Sequence, residues 1–223
     1  MAKNAMGVIF DVDGVLVDSY RAHFESWLAM ARESGFEFTE AQFAATFGRT
    51  SRDIIAHLWG QSLSDERIAA MDDRKEALYR QIIAADFPAM DGARELVRAL
   101  HGAGYLLAVG SSGPPANVAT AMDGLDLGVC FQAQVTGTDV TRGKPDPQVF
   151  LLAAERLGVP AGRCAVVEDA PAGVQAAKRA GAAAIALTGT AGRGQLADAD
   201  LVVDSLRDLS PKIIAGLIRR AGG

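Results

Sequence analysis

Short apolar runs alternate along the chain with longer stretches in which apolar residues recur every third or fourth position. The runs Gly7-Val8-Ile9-Phe10, 105–109, 132–135, 164–167, 183–187 and 201–203 read as strands. Most are apolar throughout instead of alternating, the mark of a strand buried on both faces. Stretches 92–102, 115–123, 147–157 and 171–180, rich in Ala, Leu, Glu and Arg, read as helices between them. Strand–helix alternation at this spacing predicts a parallel α/β sheet.

One interval breaks the rhythm. Between the first strand and Tyr105 no convincing strand is present. Phe24, Trp27, Leu28 and Ala31 share one helical face, and Gly35 can stop that helix. Thr39 with Gln42 reads as a capping box for a second helix that Gly48 can end. Ser51 is read as the cap of a third helix ended by Gly60, and Ser64 as the cap of a long fourth one carrying Ile68, Met71, Leu78 and Ile82. Pro88 and Asp91-Gly92 mark the return to alternation. The expected organisation is an α/β core of residues 1–17 and 89–223 with a helical cap of residues 18–88 inserted into it.

Composition narrows the role. The chain has 223 residues, 49% of them hydrophobic, so it can bury a core without disulfides or structural metal. A net charge of −5 gives no basic footprint for nucleic acid or an anionic membrane surface. Cys130 and Cys164 form no spacing motif and suit a reducing compartment. No apolar run is long enough to span a bilayer, and Met1 to Met6 has no charged flank followed by a signal core. A cytoplasmic protein is expected, with no nucleic acid or membrane partner, as a monomer or weak homodimer.

Two glycine-rich segments do not make nucleotide sites. Residues 189–194, Gly-Thr-Ala-Gly-Arg-Gly, do not follow the dinucleotide-binding spacing and read as a turn-rich loop. Residues 137–144 differ from a phosphate-binding P-loop, since five residues separate the glycines and Pro145 stands where Ser or Thr belongs.

The informative feature is where the acids fall. The first strand runs into Asp11-Val12-Asp13-Gly14, and the run 165–167 ends in Glu168-Asp169. Ligands of open parallel sheets sit beyond the carboxyl ends of the strands, and residues i and i+2 of a strand face one side, so Asp11 and Asp13 can share a crevice. Ser111-Ser112 follows another strand, and Gly143-Lys144-Pro145 follows the third after a short loop. Any one of these acids could simply cap a helix. Together, oxygen donors without His or Cys point to a hard cation, with Mg²⁺ and a phosphate as the usual pairing. Lys144 would add positive charge opposite the anion, and Ser111 with the following backbone N–H groups would offer neutral donors. This set describes phosphoryl transfer better than ester or glycoside cleavage.

Four motifs then carry a resemblance. Phe10-Asp11-Val12-Asp13-Gly14-Val15-Leu16-Val17-Asp18-Ser19, Val109-Gly110-Ser111-Ser112, Gly143-Lys144-Pro145-Asp146-Pro147 and Val167-Glu168-Asp169-Ala170-Pro171-Ala172-Gly173-Val174 resemble, in order and spacing, the four motifs of the haloacid dehalogenase-like superfamily. The resemblance implies a Rossmann-like parallel sheet with helices on both faces and an all-helical cap. It implies that Asp11 is the nucleophile, forming an aspartyl-phosphate, and that Asp13 is the general acid and base. It implies that Ser111 and Lys144 bind the phosphoryl group. Mg²⁺ would be held by Asp11, the backbone carbonyl of Asp13, and Asp169, with Glu168 binding directly or through water. True haloacid dehalogenases lack the second Asp and need no Mg²⁺, so Asp13 argues for a phosphatase.

The run 18–27 is similar to the cap entrance of β-phosphoglucomutases and their phosphatase relatives. That likeness makes His23, Arg52 and Lys75, with Ser112, substrate-binding candidates, and Arg49 competes with Arg52 for the cap cation. Each has a plainer reading: His23 as an ordinary first-helix residue, Arg52 as a partner of Asp53 or Asp65, and Lys75 in a mixed-charge, solvated helix face. The activity implied is a Mg²⁺-dependent phosphatase of a small phosphorylated metabolite, of the sugar phosphate or phosphoglycolate class. A sugar phosphomutase passing through a bisphosphate is the alternative, and a non-catalytic binding protein on the same fold is a third reading.

Overall fold

The computed structural model describes residues 5–46 and 49–222. Two compact units emerge: one runs to Asp18 and resumes at Pro88, and the other is Ser19–Phe87.

The first unit is built on six parallel strands: β1 (Gly7–Phe10), β2 (Leu106–Gly110), β3 (Phe131–Val135), β4 (Cys164–Glu168), β5 (Ala183–Leu187) and β6 (Leu201–Val203). They lie in the order β3-β2-β1-β4-β5-β6. Every strand agrees with its sequence prediction within one residue at either end. Ile9, Ala108, Val166 and Ala184 pack in one cluster with α7 (Gln148–Leu157) and α8 (Pro171–Arg179). The alternate residues Val8, Phe10, Leu107, Val109, Ala165, Val167 and Ile185 are buried on the other face. There α5 (Ala93–Gly102) covers β2, and α9 (Pro211–Ala221) covers β4 and β5. Helix α6 (Pro115–Leu125) follows β2. Helix α9 is an element the sequence reading did not name, although Ser210 caps it, Pro211 opens it, and Ile214, Leu217 and Ile218 form its buried stripe.

Chain order reverses at β1. From β1 the chain builds outward through β2 and β3, then returns to place β4 on the other side of β1. The carboxyl ends of β1 and β4 therefore flank a topological switch point, where the two connections diverge and leave a crevice. Register aligns Phe10 with both Val109 and Val167, so Asp11 emerges level with Gly110 and Glu168.

The second unit is all-helical: α1 (Tyr20–Glu33), α2 (Glu40–Thr46), α3 (Ser51–Trp59) and α4 (Asp65–Ala85). Its core gathers Trp27, Met30, Phe38, Phe43, Ile54, Ile55, Ile68 and Met71, with Phe24 and Trp59 packed against it. Thr39 and Gln42 form the expected reciprocal cap, at 2.9 and 3.2 Å. The expected helix stop at Gly48 lies outside the described residues. Ser51 does not cap α3. Thr50 does, accepting the Asp53 N–H at 3.2 Å from an extended backbone, while Ser51 donates to Glu76 at 2.5 Å. The buried stripe of α4 is Ile68, Met71, Lys75, Tyr79 and Ile83, so Leu78 and Ile82 flank the stripe instead of leading it. Among the described residues no helix is long and apolar enough to cross a membrane. Both cysteines are buried and unpaired.

Candidate active site and metal centre

Three carboxylates converge at the switch point. Oxygens of Asp11, Glu168 and Asp169 lie within 4.8 Å of one another, and all three residues are buried. Asp11 directly follows β1, and its N–H continues the ladder by donating to the Val167 carbonyl at 3.0 Å. Glu168 is the last residue of β4, and its Oε2 accepts the N–H groups of Asp169 and Ala170 at 2.9 and 3.0 Å. Lys144 bridges the acids: its Nζ donates to Asp11 Oδ1 at 2.8 Å and to Glu168 Oε1 at 2.6 Å.

Charge does not balance in this cluster. Three carboxylates face a single ammonium, leaving about two negative charges without a counter-charge at close range. Burial, with repulsion from Glu168 and Asp13, pushes the Asp11 carboxyl up to about 7 despite Lys144. Burial first, then Glu168 and Asp11, holds Asp169 well above the ordinary range. The pull of Asp11 and Glu168 outweighs burial at Lys144 and raises its pKa, so the ammonium stays charged. A buried all-oxygen donor set short of two positive charges fits a hard divalent cation, and Mg²⁺ is the cation such donors take beside phosphate.

Close approaches around the acids require glycine. Gly14 has φ of +73°, and a Cβ there would stand 1.9 Å from Asp169 Oδ2. A Cβ on Gly173, in the first turn of α8, would stand 1.9 Å from the Glu168 carboxyl carbon. Both glycines lie in the quoted motifs, but only the fold reveals what they make room for.

The neutral donors occupy the turn after β2. Buried Ser111 donates its N–H to Val135 at 3.0 Å, and its Oγ accepts the Gly113 N–H at 3.0 Å. The position a Gly113 Cβ would take lies 3.2 Å from Ser111 Oγ and 3.9 Å from Asp13 Oδ2, so Ser111 and Asp13 flank this turn. Ser112 is exposed. The segment 137–144, dismissed as a nucleotide loop, braces the turn. Gly137 N–H donates to the Gly113 carbonyl at 2.9 Å, and a Cβ on Gly137 would strike the Ser112 carbonyl at 2.4 Å.

Asp13 is half-buried, and its carboxylate is not part of the three-acid group. The tight turn that follows it, in which Val15, Leu16 and Val17 all donate to the Val12 carbonyl, sets its position. Asp11, Glu168, Asp169, Lys144, Ser111 and Asp13 thus share one sheet edge, as the motifs anticipated.

Within the helical unit, Lys75 departs from the solvated reading. It is 2% exposed, with Nζ 2.9 Å from His23 Nδ1 and 3.0 Å from Glu76 Oε1. Its 3–4 spacing from Ile68, Met71 and Tyr79 places it on the apolar stripe, a signal present in the sequence and masked by the charged residues beside it. Its ammonium also lies over the Trp27 and Tyr79 rings at 5.7 and 5.5 Å. His23 stacks on Tyr79 with ring centroids 4.0 Å apart. Arg52 is exposed on α3, and its charge reaches Asp72. Arg142 pairs with Asp146 at 3.2 Å and Arg193 with Asp204 at 2.7 Å.

A doubly wound parallel sheet with buried carboxylates, a lysine and a serine turn at its switch point defines a class of α/β enzyme that works on anionic substrates. Residues 5–181 match the family model described as haloacid dehalogenase-like hydrolase, and the chain belongs to that family. The chain is 36% identical over 207 residues to hexitol phosphatase A of Escherichia coli, covering 92% of this chain and 93% of the relative. It is 30% identical over 215 residues to β-phosphoglucomutase of Bacillus subtilis, covering 93% and 92%. A solved HAD hydrolase of family IA, variant 3, from Entamoeba histolytica superposes with a TM-score of 0.86 at 26% identity, covering 96% of this chain and 99% of that one.

Proposed function

We propose that this protein is a Mg²⁺-dependent phosphatase that hydrolyses a small phosphorylated metabolite of the sugar phosphate or phosphoglycolate class through an aspartyl-phosphate on Asp11. The observation that carries the reading is the Asp11 carboxylate, held at 2.8 Å by Lys144 beside Glu168 and Asp169 at the switch point. Asp11 attacks phosphorus with its free oxygen while the Lys144 ammonium offsets the approach of anion to anion. The Ser111 hydroxyl binds a phosphoryl oxygen. Asp13 protonates the leaving alkoxide, then takes a proton from the water that cleaves the acyl phosphate. Asp11, Asp169 and Glu168, with the Asp13 carbonyl, would hold Mg²⁺. When bound, the ion supplies the missing positive charge and polarises the phosphoryl group.

The higher identity to a hexitol phosphatase supports a polyol or sugar phosphate as substrate. Arg52, exposed on α3, is the candidate for a remote substrate anion, while Lys75 is engaged by His23 and Glu76. The mutase reading draws on the more distant likeness to β-phosphoglucomutase.

The test is a panel of phosphorylated metabolites, including hexitol phosphates, glucose phosphates and phosphoglycolate, with free phosphate and isomer measured separately. Phosphate release that depends on Mg²⁺ and disappears in a folded Asp11→Asn variant is expected. Isomerisation outrunning release would favour the mutase, and appreciable turnover by Asp11→Asn would refute Asp11 as nucleophile.

A further inference from the structure

The turn that carries Ser111 is gripped at two points by the chain leaving β3. Ser111 N–H donates to the Val135 carbonyl at 3.0 Å, and Gly137 N–H donates to the Gly113 carbonyl at 2.9 Å. Gly113 N–H in turn donates to Ser111 Oγ at 3.0 Å, so the setting of the hydroxyl follows that of Gly113. This bond uses a lone pair of the oxygen and leaves its proton for a phosphoryl oxygen.

The residue between the two grips is Thr136, and Asp139 fixes it. Asp139 Oδ2 accepts both the Thr136 N–H and the Thr136 hydroxyl at 2.8 Å, closing the one-turn helix Gly137–Asp139. Asp139 Oδ1 accepts Arg156 Nη2 at 2.6 Å. Arg156, on α7, also donates to the Gln134 carbonyl in β3. These bonds, that from Arg156 foremost, hold the Asp139 carboxyl down to about 2, so it is ionised at neutral pH.

Gly137 shows how closely the two segments meet. Its φ lies outside the left-handed region, so its backbone conformation does not call for glycine. A Cβ there would stand 2.4 Å from the Ser112 carbonyl oxygen and 3.3 Å from that of Gly113. Both obstacles are backbone of the serine turn, which would have to move.

We propose that Asp139 is a positioning residue for phosphoryl binding. It locks Thr136 and Gly137, Gly137 holds the Gly113 carbonyl, and Gly113 sets the Ser111 hydroxyl. This inference rests on the reading of Ser111 as a phosphoryl donor.

The test uses the intact chain with Asp139→Ala, which releases Thr136, and Gly137→Ala, which pushes on the Ser112 carbonyl while leaving Asp139 in place. Ser111→Ala tests the underlying reading. The readouts are kcat/KM for p-nitrophenyl phosphate, inhibition by inorganic phosphate, Mg²⁺ affinity by calorimetry, and melting. A misplacement of about 1 Å can cost about 100-fold, so Asp139→Ala and Gly137→Ala are each expected to lose about 10- to 100-fold in kcat/KM. Both should bind inorganic phosphate more weakly and keep wild-type Mg²⁺ affinity, because the three-acid group is built on β1 and β4. A lower melting temperature with phosphate inhibition and kcat/KM unchanged would overturn the inference, by assigning Asp139 a merely structural role. Equal losses of phosphate and Mg²⁺ affinity would do so too, since the whole edge would then be disturbed. Should Asp139→Ala fail to fold, wild-type phosphate affinity in Gly137→Ala is the overturning result. Loss in Ser111→Ala without loss in the other two would overturn this inference alone. Wild-type values in Ser111→Ala would overturn the reading of Ser111 and the inference with it.

Discussion

Raising the pH should destabilise the metal-free protein, and Mg²⁺ should reverse the effect. The Asp11 carboxyl is pushed up to about 7, against 3.8 for an ordinary aspartate, chiefly by burial. Between those two values the native state holds a proton that the unfolded chain has released, so stability falls as pH rises. The stabilisation is complete below about pH 4 and is lost as pH passes 7. At roughly 1.4 kcal/mol per pH unit the loss reaches about 4 kcal/mol, or a melting temperature lower by about 10 °C for a chain of this size. Asp169, raised for related reasons, contributes with the same sign. The assay is thermal unfolding in EDTA between pH 4.5 and 8, comparing wild type with Asp11→Asn, whose amide does not titrate. Wild type should lose stability relative to the variant as pH rises. Under the proposed function Mg²⁺ would bind the ionised acids, so its stabilising effect should be larger at pH 8 than at pH 5. At about 100 times its dissociation constant the gain is about 2.7 kcal/mol. Parallel pH profiles for wild type and Asp11→Asn, or a Mg²⁺ effect that shrinks with rising pH, would refute the reasoning.

Two further substitutions or modifications probe the architecture. Gly173→Ala would bring a methyl to 1.9 Å from the Glu168 carboxyl, so we expect a loss of about 1–3 kcal/mol in stability together with weakened Mg²⁺ binding, read by melting and calorimetry; a variant with wild-type values for both would contradict the packing described. Burial pushes the Cys164 thiol up to about 12, so at pH 8 only about one molecule in 10⁴ carries its thiolate. With Cys130 also buried, neither thiol should react with a disulfide reagent until the protein is unfolded in urea, and rapid release of one equivalent from the native protein would be the contrary result.

How much of this could be read from the chain depended on whether the signal was local. Strands buried on both faces announce themselves by unbroken apolar runs, so β1 and β5 fell where Gly7-Val8-Ile9-Phe10 and residues 183–187 placed them. The acids and Lys144 were legible because each follows a strand or occupies a recognisable motif. Lys75 was misread because a charged neighbourhood hid a stripe set by 3–4 spacing, and the cap of α3 was placed one residue late because Thr50 precedes a serine of similar chemistry. What Gly14 makes room for was beyond local reasoning. Asp169 lies 155 residues further along the chain, and only the adjacency of β1 and β4 in the sheet brings the two together.

The junctions of the helical unit carry a consequence of their own. Asp18 N–H donates to the Pro88 carbonyl at 2.8 Å, Met90 N–H donates to Leu16 at 3.0 Å, and Val17 pairs with Ala89. The chain leaves the sheet unit and re-enters it through one small antiparallel clasp, so in topological terms the 69 residues Ser19–Phe87 are a single large loop. Ends held this close are where whole segments can be exchanged or removed with the least disturbance to the host. A chimera grafting a relative's helices between Asp18 and Pro88 is therefore expected to keep the host's sheet edge, with Asp11, Glu168 and Asp169, unchanged.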